Sequence, residues 1–337
     1  MTARQYAAAG VDLNTADAAK EKIGHLVAGT RTPLAVGLVG AFGGMVRVPA
    51  GMRKPVLVLS TDGVGTKVLV ALEAGRFDTV GEDLVNHSVN DILVHAARPI
   101  AFMDYIAGAG LTVGQIAGIV EGIARGCRNH NMALAGGETA QMPGLYQHGH
   151  YDLAGTIIGV VEEDEALHGD HVQPGDVLLG YASTGLHTNG YTLARKVLFE
   201  TMKLRLNAKL TGVKGTLGEE LLLVHRNYQP LLASLPPAAV KGLAHITGGG
   251  LVDNLPRVLP KGCDAVIDCS SWDVPAIFDH IQRGGKVDPH EMYQVFNMGI
   301  GMTIVVAEND AAAIVRKTKG SIIGGIVEGS GVVRLVV

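Results

Sequence analysis

Apolar runs that are typical of buried strands alternate with amphipathic helical patterns along this chain, and this alternation constrains its fold more than any other feature. Residues 55–60 are predicted to form a buried strand. Residues 78–97 are predicted to form a helix that Pro99 ends, and residues 100–107 the next strand. The second half restarts with a strand over residues 176–182, followed by a loop and a helix, so the chain combines strands and helices in both halves.

The length predicts two domains. At 337 residues the chain exceeds the size of about 250–300 residues at which a single hydrophobic core stops growing. A polar stretch without periodicity, residues 162–175, is the best candidate for a boundary. We therefore expect one domain over residues 1–168 and a second over residues 169–337.

Charge and cysteine usage exclude several classes of protein. The net charge of −4 leaves no basic stripe for general nucleic-acid binding. The first residues lack the apolar core of a signal peptide, and the uncharged stretch at residues 34–46 is too short and too rich in glycine to span a bilayer. We therefore expect no membrane partner. The three cysteines form no CxxC pair, so we expect a cytoplasmic protein with buried thiols.

Three acidic residues lie beside glycines or at the ends of predicted elements, and they are Asp62, Asp91 and Glu138. Carboxylates hold hard divalent cations, and glycine lets backbone N–H groups approach a phosphate closely. Together with Lys67, these acids are the groups that a magnesium–nucleotide site needs.

The loop after the strand at residues 55–60 carries most of this pattern. Its residues are Asp62, Gly63, Val64, Gly65, Thr66 and Lys67. A predicted helix follows, so the N–H groups of the loop face an anion-binding helix start. The spacing GxxxxGK of a Walker A loop is not met. The alternative is a tight glycine turn with a capping aspartate and a solvated lysine.

Glu138 is predicted to follow a strand over residues 132–135, in a turn that Gly136 and Gly137 form. Asp62 and Glu138 would then both follow strands and meet at one edge of a sheet, with Asp91 reaching that edge from a helix. The alternative for Glu138 is an acid that caps its turn.

His87 and His95 extend the spacing of Asp91 at every fourth residue of the predicted helix. A stripe with that spacing drifts about 40° at each step around the helix, so its members do not share one face. Both histidines are therefore interpreted as ordinary buried or surface residues.

Two loops of the second half join an apolar element to a predicted helix. The first contains Ser183 and ends in His187, Thr188, Asn189 and Gly190, and the second contains His245, Thr247, Gly248, Gly249 and Gly250. Backbone N–H groups at such loops favour an anion. The three glycines have no packing reason in the sequence, so close approach to a ligand is predicted, with a flexible linker as the alternative. Asn189 either binds substrate or caps the helix that follows it.

The motifs of this chain resemble those of the phosphoribosylformylglycinamidine cyclo-ligases, also called aminoimidazole ribonucleotide synthetases. The matching segments, in the family's order, are Tyr6 with AGVD at 9–12, STDGVGTK at 60–67, Asp83-Leu84 with VND at 89–91, GGETAQMPG at 136–144, HTNGY at 187–191, HITGGG at 245–250 and HEMY at 290–293. They span nearly the whole chain, which makes the resemblance specific.

The resemblance implies a two-domain mixed α/β (α+β) fold. It also implies a homodimer in which the N-terminal domains contribute strands to a shared β-barrel, with a mixed α/β sandwich as the C-terminal domain. It also implies ATP and Mg²⁺ as cofactors. The implied reaction is the ring closure of formylglycinamidine ribonucleotide in de novo purine synthesis, through phosphorylation of the formyl oxygen by ATP.

The predicted site residues follow from the motifs and the resemblance together. The metal ligands are Asp62, Asp91 and Glu138, and the nucleotide-binding residues are Asp62, Gly63, Gly65, Thr66, Lys67, Asp91, Gly136, Gly137 and Glu138. The substrate-binding residues are His187, Thr188, Asn189, Gly190, Thr247, Gly248, Gly249 and Gly250. The predicted catalytic residues are Asp62, Lys67, Asp91, Glu138 and His187, where His187 is a possible proton carrier.

Two alternatives remain open from the sequence. One is another member of the same ATP-binding superfamily, such as a thiamine-monophosphate kinase or a selenophosphate synthetase. The other, from a different class, is a non-catalytic regulator that binds a nucleotide. Turnover of ATP with formylglycinamidine ribonucleotide separates the three.

Overall fold

The structure is a computed structural model that describes residues 22–37 and 42–336. The chain divides into two compact units. The first is formed by Met1–Ile92 and Ala97–Glu165, and the second by Leu93–Ala96 and Ala166–Val337. The motif at residues 6–12 lies outside the described residues.

The first unit is built on a four-stranded sheet with helices between its strands. Its elements are β1 (Ala35–Val36), β2 (Met45–Val46), β3 (Pro55–Gly63), α1 (Lys67–Ala74), α2 (Asp78–Leu93), β4 (Arg98–Gly108), α3 (Val113–Asn129), β5 (Ala133–Gln141) and β6 (Tyr151–Glu162). The strand order is β3-β6-β4-β5, and β1 pairs separately with β2. β4 and β5 run parallel, whereas the other pairs of the sheet are antiparallel.

The helices α2 and α3 lie unusually close to each other. A Cβ on Gly81 of α2 would collide with the carbonyl of Ile119, and one on Gly122 of α3 would collide with the carbonyl of Asp78. Helix α3 begins at a capping box, in which Thr112 and Gln115 satisfy each other's backbone N–H groups. Only glycine allows this backbone approach, so these positions fix the helix pair that covers one face of the sheet.

The other face of the first sheet exposes large apolar side chains. They are Leu57, Leu59, Met103 and Tyr105, exposed by 48%, 62%, 37% and 39%. The polar pair Thr61 and Thr156 lies beside them, with hydroxyl oxygens 2.8 Å apart. We call these residues the open face of the sheet.

The second unit is built on a six-stranded sheet. Its elements are β7 (Val177–Ala182), α4 (Tyr191–Arg195), a π-helix (Lys196–Thr201), α5 (Leu217–Leu221), α6 (Gln229–Ala233), β8 (Gly242–His245), α7 (Gly250–Asn254), β9 (Cys263–Asp268), α8 (Ala276–Gly285), α9 (Pro289–Val295), β10 (Ile300–Val306), α10 (Glu308–Thr318), β11 (Ser321–Glu328) and β12 (Val333–Val336). The strand order is β12-β9-β11-β7-β10-β8. Every residue of β10 is buried, so this strand lies in the core of the unit.

The mixed α/β architecture of the prediction is confirmed, but two local expectations are wrong. β5 continues through Gly136, Gly137 and Glu138, so these residues lie within a strand rather than in a turn after it. Asp62 likewise lies inside β3, one residue before its end. In β5 a glycine is required at position 137, because a neighbouring group approaches closely there.

The helices after the two loops of the second unit are short. The helix after Gly190 has five residues before the π-helix begins, and α7 has five before a 3₁₀-helix at Leu255–Val258. Among the described helices, none has the length and apolar character that a membrane span requires.

Candidate active site

Two carboxylates and an imidazole converge at the end of β3 in the first unit. His87 Nε2 lies 2.8 Å from Asp62 Oδ2 and 3.5 Å from Asp91 Oδ2. The hydroxyl of Ser60 donates to Asp91 Oδ2 over 3.2 Å. The side chain of His87 is only 3% exposed, whereas those of Asp62 and Asp91 are 45% and 22% exposed. The imidazole therefore lies beneath two carboxylates that remain accessible.

The electrostatics of this cluster favour an imidazolium between two ionised acids. Burial alone would lower the pKa of His87, but the hydrogen bond to Asp62 and the charges of Asp91 and Asp62 hold it above its ordinary 6.5. Burial would likewise raise the pKa of Asp62. The hydrogen bond and charge of His87, and the N–H of Gly63, hold that pKa below 3.8. Protonated His87 thus orients both carboxylates.

The donor set of this cluster fits Mg²⁺. Carboxylate oxygens are the hard ligands that Mg²⁺ prefers, and this ion is commonly held by one or two carboxylates together with water and phosphate oxygens. Asp62 Oδ1 accepts the N–H of Gly63 over 2.8 Å, which fixes the first carboxylate on its strand. The accessible sides of Asp62 and Asp91 are therefore suited to a small divalent cation.

Glu138 is not brought to this cluster within the described chain. In the register of β4 and β5, Asp104 pairs with Gly137 and Tyr105 pairs with Glu138. Successive strand residues point to opposite faces. Because Asp62 lies in the same cross-strand row as Asp104, through Gly155 of β6, Glu138 falls on the opposite face, the open face of Tyr105.

Lys67 is fully buried in an ion pair. Its Nζ lies 2.7 Å from Asp83 Oδ2, and both side chains are 0% exposed. The pair links the start of α1 to α2, directly after the loop that Gly63, Gly65 and Thr66 form. The alternative of a solvated lysine is wrong. Lys67 therefore anchors that loop from below, at a position that does not reach the surface.

Asp104 is an acid that sequence reasoning missed. It projects from β4 on the face opposite the open face, in the row Asp62–Gly155–Asp104–Gly137. Burial raises the pKa of Asp104 to about 7. A Cβ on Gly137 would collide with its carboxylate. Gly137 thus provides room for Asp104, which explains one of the two glycines in β5.

In the second unit, the loop from Ser183 to Gly190 buries its central residues. His187 adopts a left-handed conformation, with φ +62°, and is 1% exposed. Its Nε2 accepts the backbone N–H of Thr184 over 3.1 Å. Thr188 is buried beside it. Non-glycine residues with positive φ are uncommon, so the surrounding contacts hold this loop in one shape.

The glycine loop of the second unit is organised by Asn254. The amide nitrogen of Asn254 donates to the carbonyls of Gly248 and Gly250, over 3.1 and 2.8 Å, and Thr247 Oγ1 lies 3.3 Å from Asn254 Oδ1. A Cβ on Gly250 would collide with the carbonyl of Tyr293. The expectation that these glycines have no packing role is therefore wrong for Gly250. The interpretation as a flexible linker is also wrong.

Asn189 lies where the two loops of the second unit meet. A Cβ on Gly248 of the second loop would lie 3.3 Å from Asn189 Oδ1. The next helix is capped by Gly190 without any side-chain hydrogen bond, so Asn189 does not cap it. Its Nδ2 is buried and, among the described residues, has no hydrogen-bond partner. A buried amide of this kind calls for a ligand or water as acceptor.

Sequence reasoning placed Asp62 and Asp91 together but missed His87 between them. The buried part of the interpretation of His87 is confirmed, whereas its contacts with the acids were not foreseen. The spacing from His87 to Asp91 was the available signal, because residues four apart on a helix are neighbours. Its second partner, Asp62, is on another element and leaves no local signal.

Two family models together match most of the chain. Residues 44–161 match the N-terminal domain of AIR synthase related protein, and residues 173–336 match its C-terminal domain.

Three curated relatives carry the same name, phosphoribosylformylglycinamidine cyclo-ligase. The protein of Trichlorobacter lovleyi is 47% identical, over 94% of this chain and 91% of its own. That of Chromobacterium violaceum is 48% identical, over 92% and 90%. That of Myxococcus xanthus is 50% identical, over 91% and 90%.

Solved structures show the same fold at low identity. Thiamine-monophosphate kinase from Stenotrophomonas maltophilia superposes with a TM-score of 0.68 at 17% identity, over 94% of this chain and 95% of that one. The hydrogenase maturation protein HypE in complex with ATP superposes with a TM-score of 0.64 at 18% identity, over 92% and 88%.

Proposed function

The chain belongs to the AIR synthase family, among the phosphoribosylformylglycinamidine cyclo-ligases, and from this membership we propose that it closes the imidazole ring of 5-aminoimidazole ribonucleotide. The observation that carries the proposal is identity of 47–50% to relatives of that name over nine-tenths of the chain. The enzyme is an ATP-dependent ligase that forms a C–N bond in purine biosynthesis.

The reaction needs activation of an oxygen that is a poor leaving group. ATP phosphorylates the formyl oxygen of formylglycinamidine ribonucleotide, with release of ADP, and gives an iminophosphate. The amidine-side nitrogen then attacks the same carbon and closes the ring, and phosphate leaves. The formyl oxygen is a poor leaving group at neutral pH, and after phosphorylation it leaves as part of the phosphate.

In this proposal the first 168 residues bind ATP and Mg²⁺. Asp62 and Asp91, oriented by His87, hold the ion, which when bound neutralises charge on the transferring phosphoryl group. The loop that contains Gly63, Gly65 and Thr66 is proposed to lie against the phosphates, with the N–H of Gly63 holding Asp62 in place. Lys67 acts through this loop, because its own ammonium is paired with Asp83.

Glu138, with Gly136 and Gly137, is proposed as the remaining part of the nucleotide site. Glu138 lies on the open face. In a homodimer that pairs two open faces, the carboxylate of Glu138 would be presented to the partner. This arrangement gives Glu138 a function that a single chain does not provide.

Residues 169–337 bind the ribonucleotide in this proposal. The support comes from the meeting of the two loops at Asn189, whose buried Nδ2 has a hydrogen to donate. The two loops, with Thr188 and Gly190 in the first and Thr247, Gly248 and Gly249 in the second, are proposed to face the 5′-phosphate. The N–H of Gly250 already donates to the carbonyl of Thr247 and keeps the second loop in shape. His187 then lies beside the bound substrate as orienting group or proton carrier.

We also propose a homodimer formed through the open face and a cytoplasmic location. Leu57, Leu59, Met103 and Tyr105 are more apolar than an isolated sheet face that stays in water. The location is supported by the buried thiols of all three cysteines, which suit a reducing compartment.

The experiment that tests the function is a turnover assay with ATP, Mg²⁺ and formylglycinamidine ribonucleotide. We expect stoichiometric ADP, phosphate and aminoimidazole ribonucleotide, and loss of all three products when Mg²⁺ is chelated. Thiamine monophosphate in place of the ribonucleotide is the control for the fold's other chemistry. Phosphorylation of that compound without ring closure of the ribonucleotide would overturn the proposal.

A further inference from the structure

A segment outside both substrate loops holds the first of them in place. Residues 224–228 lie between α5 and α6 and belong to no motif singled out in the sequence. The backbone N–H of Arg226 donates to His187 Nε2 over 3.4 Å. The guanidinium of Arg226 and the hydroxyl of Tyr228 both donate to the carbonyl of Ala182, over 2.6 and 2.8 Å. The loop that begins at Ser183 is thus fixed at its origin and at its centre.

His225, in the same segment, contacts both loops at once. Its Nδ1 lies 3.3 Å from Thr188 Oγ1 in the first loop, and its Nε2 lies 2.9 Å from Nε2 of His245, which begins the second. Its ring stacks on that of His187, with centroids 3.9 Å apart and planes inclined by 24°. The three imidazoles are between 1% and 6% exposed.

The hydrogen bonds of this cluster fix where its protons lie. A short contact between two imidazole nitrogens needs one proton between them, so His225 and His245 share a single proton across their Nε2 atoms. His187 Nε2 accepts the N–H groups of Thr184 and Arg226, so neutral His187 carries its proton on Nδ1. The cluster is therefore a specific polar network rather than a set of three independent side chains.

This geometry differs from that of a metal site, although the three histidines lie within 4.8 Å of one another. On a tetrahedral ion with metal–nitrogen bonds of about 2.0–2.1 Å, two ligand nitrogens lie roughly 3.3 Å apart. The Nε2 atoms of His225 and His245 are closer than this, at 2.9 Å. The rings of His187 and His225 are stacked with planes inclined by only 24°, so their nitrogen lone pairs lie in nearly parallel planes rather than converging on one ion.

We propose that His225 is a positioning residue that joins the two substrate loops through the proton it shares with His245 and the bond it makes with Thr188. Asn189 and the glycines after Thr247 are thereby held at the separation that the ribonucleotide needs before it binds. Preorganisation of this kind raises affinity because less ordering remains to be done on binding. The proposal rests on the proposed function, since these loops are its substrate loops.

Two substitutions of His225 separate the contribution of its ring stacking from that of its hydrogen bonds. His225→Phe keeps a ring that can stack on His187 but removes both nitrogens. His225→Gln keeps a donor and an acceptor near the positions of the nitrogens. His280→Phe is the matched control, because His280 lies in the same unit and bonds only the carbonyl of Thr211 among the contacts described for it.

We expect His225→Phe to raise the KM for the ribonucleotide about tenfold, while the KM for ATP changes less than about twofold. His225→Gln should recover most of the loss, and the control should match the wild type. An equal loss for both substrates, or unchanged kcat/KM per folded molecule with only a lower Tm, would overturn the proposal. Stoichiometric metal that the wild type binds and His225→Gln loses would also overturn it.

A measurement on the wild-type protein tests the shared proton without turnover. In protein labelled with ¹⁵N at histidine, a scalar coupling between the Nε2 atoms of His225 and His245 is expected across the hydrogen bond, and it should vanish in His225→Phe. Its absence in the folded wild type contradicts the proposal. An inactive wild type that shows the coupling refutes the proposed function alone.

Discussion

At the scale of single residues, substitutions of Asp62 and Asp91 should affect catalysis more than stability. Asp62→Asn and Asp91→Asn are each expected to lower kcat about 100-fold or more, which corresponds to ~2.7 kcal/mol of transition-state stabilisation. The free energy of unfolding should change less than this, because both acids are partly exposed and an asparagine oxygen can still accept a hydrogen bond from His87 Nε2. Turnover and urea unfolding are measured on the same preparations.

The matched control for these variants is Glu121→Gln, which removes an exposed carboxylate from α3 in the same unit. It should leave both measurements unchanged. A double variant of Asp62 and Asp91 with full activity would remove the two acids from the proposed site.

Asp104 gives a prediction about pH. Burial raises its pKa in the folded protein from 3.8 to about 7. The folded state thus keeps a proton that the unfolded state releases, and stability falls as the pH rises from about 4 to about 7. Asp104→Asn, which resembles the neutral acid, should therefore have little effect near pH 4 and stabilise the protein near pH 8.

Urea unfolding at the two pH values measures this difference, with the exposed Asp152→Asn as control. A difference between wild type and Asp104→Asn that does not depend on pH would show that the pKa of Asp104 is the same in the folded and unfolded states.

At the scale of elements, β5 depends on a glycine that makes room for a side chain. A Cβ on Gly137 would collide with the Asp104 carboxylate and lie 2.8 Å from the Asp104 carbonyl, whereas one on Gly136 meets nothing within 4 Å. Gly137→Ala should cost ~1–3 kcal/mol, as overpacking does, and Gly136→Ala less than ~0.5 kcal/mol. The midpoints of urea unfolding measure the two costs. Equal costs would show that β5 shifts to accommodate either methyl group.

The same strand shows which elements sequence reasoning could predict. β3 and β4 were predicted because their apolar residues form continuous runs. The prediction that β3 is buried is wrong within the single chain, because all its residues are half-buried or exposed. β5 was predicted only to residue 135, because Gly136 and Gly137 are disfavoured in strands and typical of turns. In the structure the pairing with β4 continues past a register shift directly before Gly136, and no local pattern records a pairing between strands.

The candidate site was predictable to a similar extent. Asp62, Asp91 and Asn189 were identified because their motifs place them in loops or at element ends. His87 and His225 were not, since each takes its meaning from partners on other elements: Asp62 for the first, His245 for the second. Periodicity reports which face of a helix is apolar, and it does not report which polar group another element presents to that face.

At the scale of the whole molecule, the open face predicts the state of association. We expect twice the subunit mass in sedimentation equilibrium at micromolar concentration. Leu59→Glu should give the monomer, because a charge would be buried at the centre of the paired faces. Val332→Glu, at a residue of the second unit that is 45% exposed, is the control and should remain dimeric. A wild-type monomer that does not change on dilution contradicts the prediction.

The alkylation rates of the three buried cysteines measure how readily each unit of the protein opens locally. Cys127 lies in the first unit, whereas Cys263 and Cys269 lie in the second. Burial raises the pKa of Cys127, and alkylating reagents attack only thiolates that solvent can reach. Each thiol therefore reacts at the rate at which its own unit opens. If the ribonucleotide orders the second unit alone, its addition should slow alkylation of Cys263 and Cys269, measured by peptide mass spectrometry, and leave Cys127 unchanged.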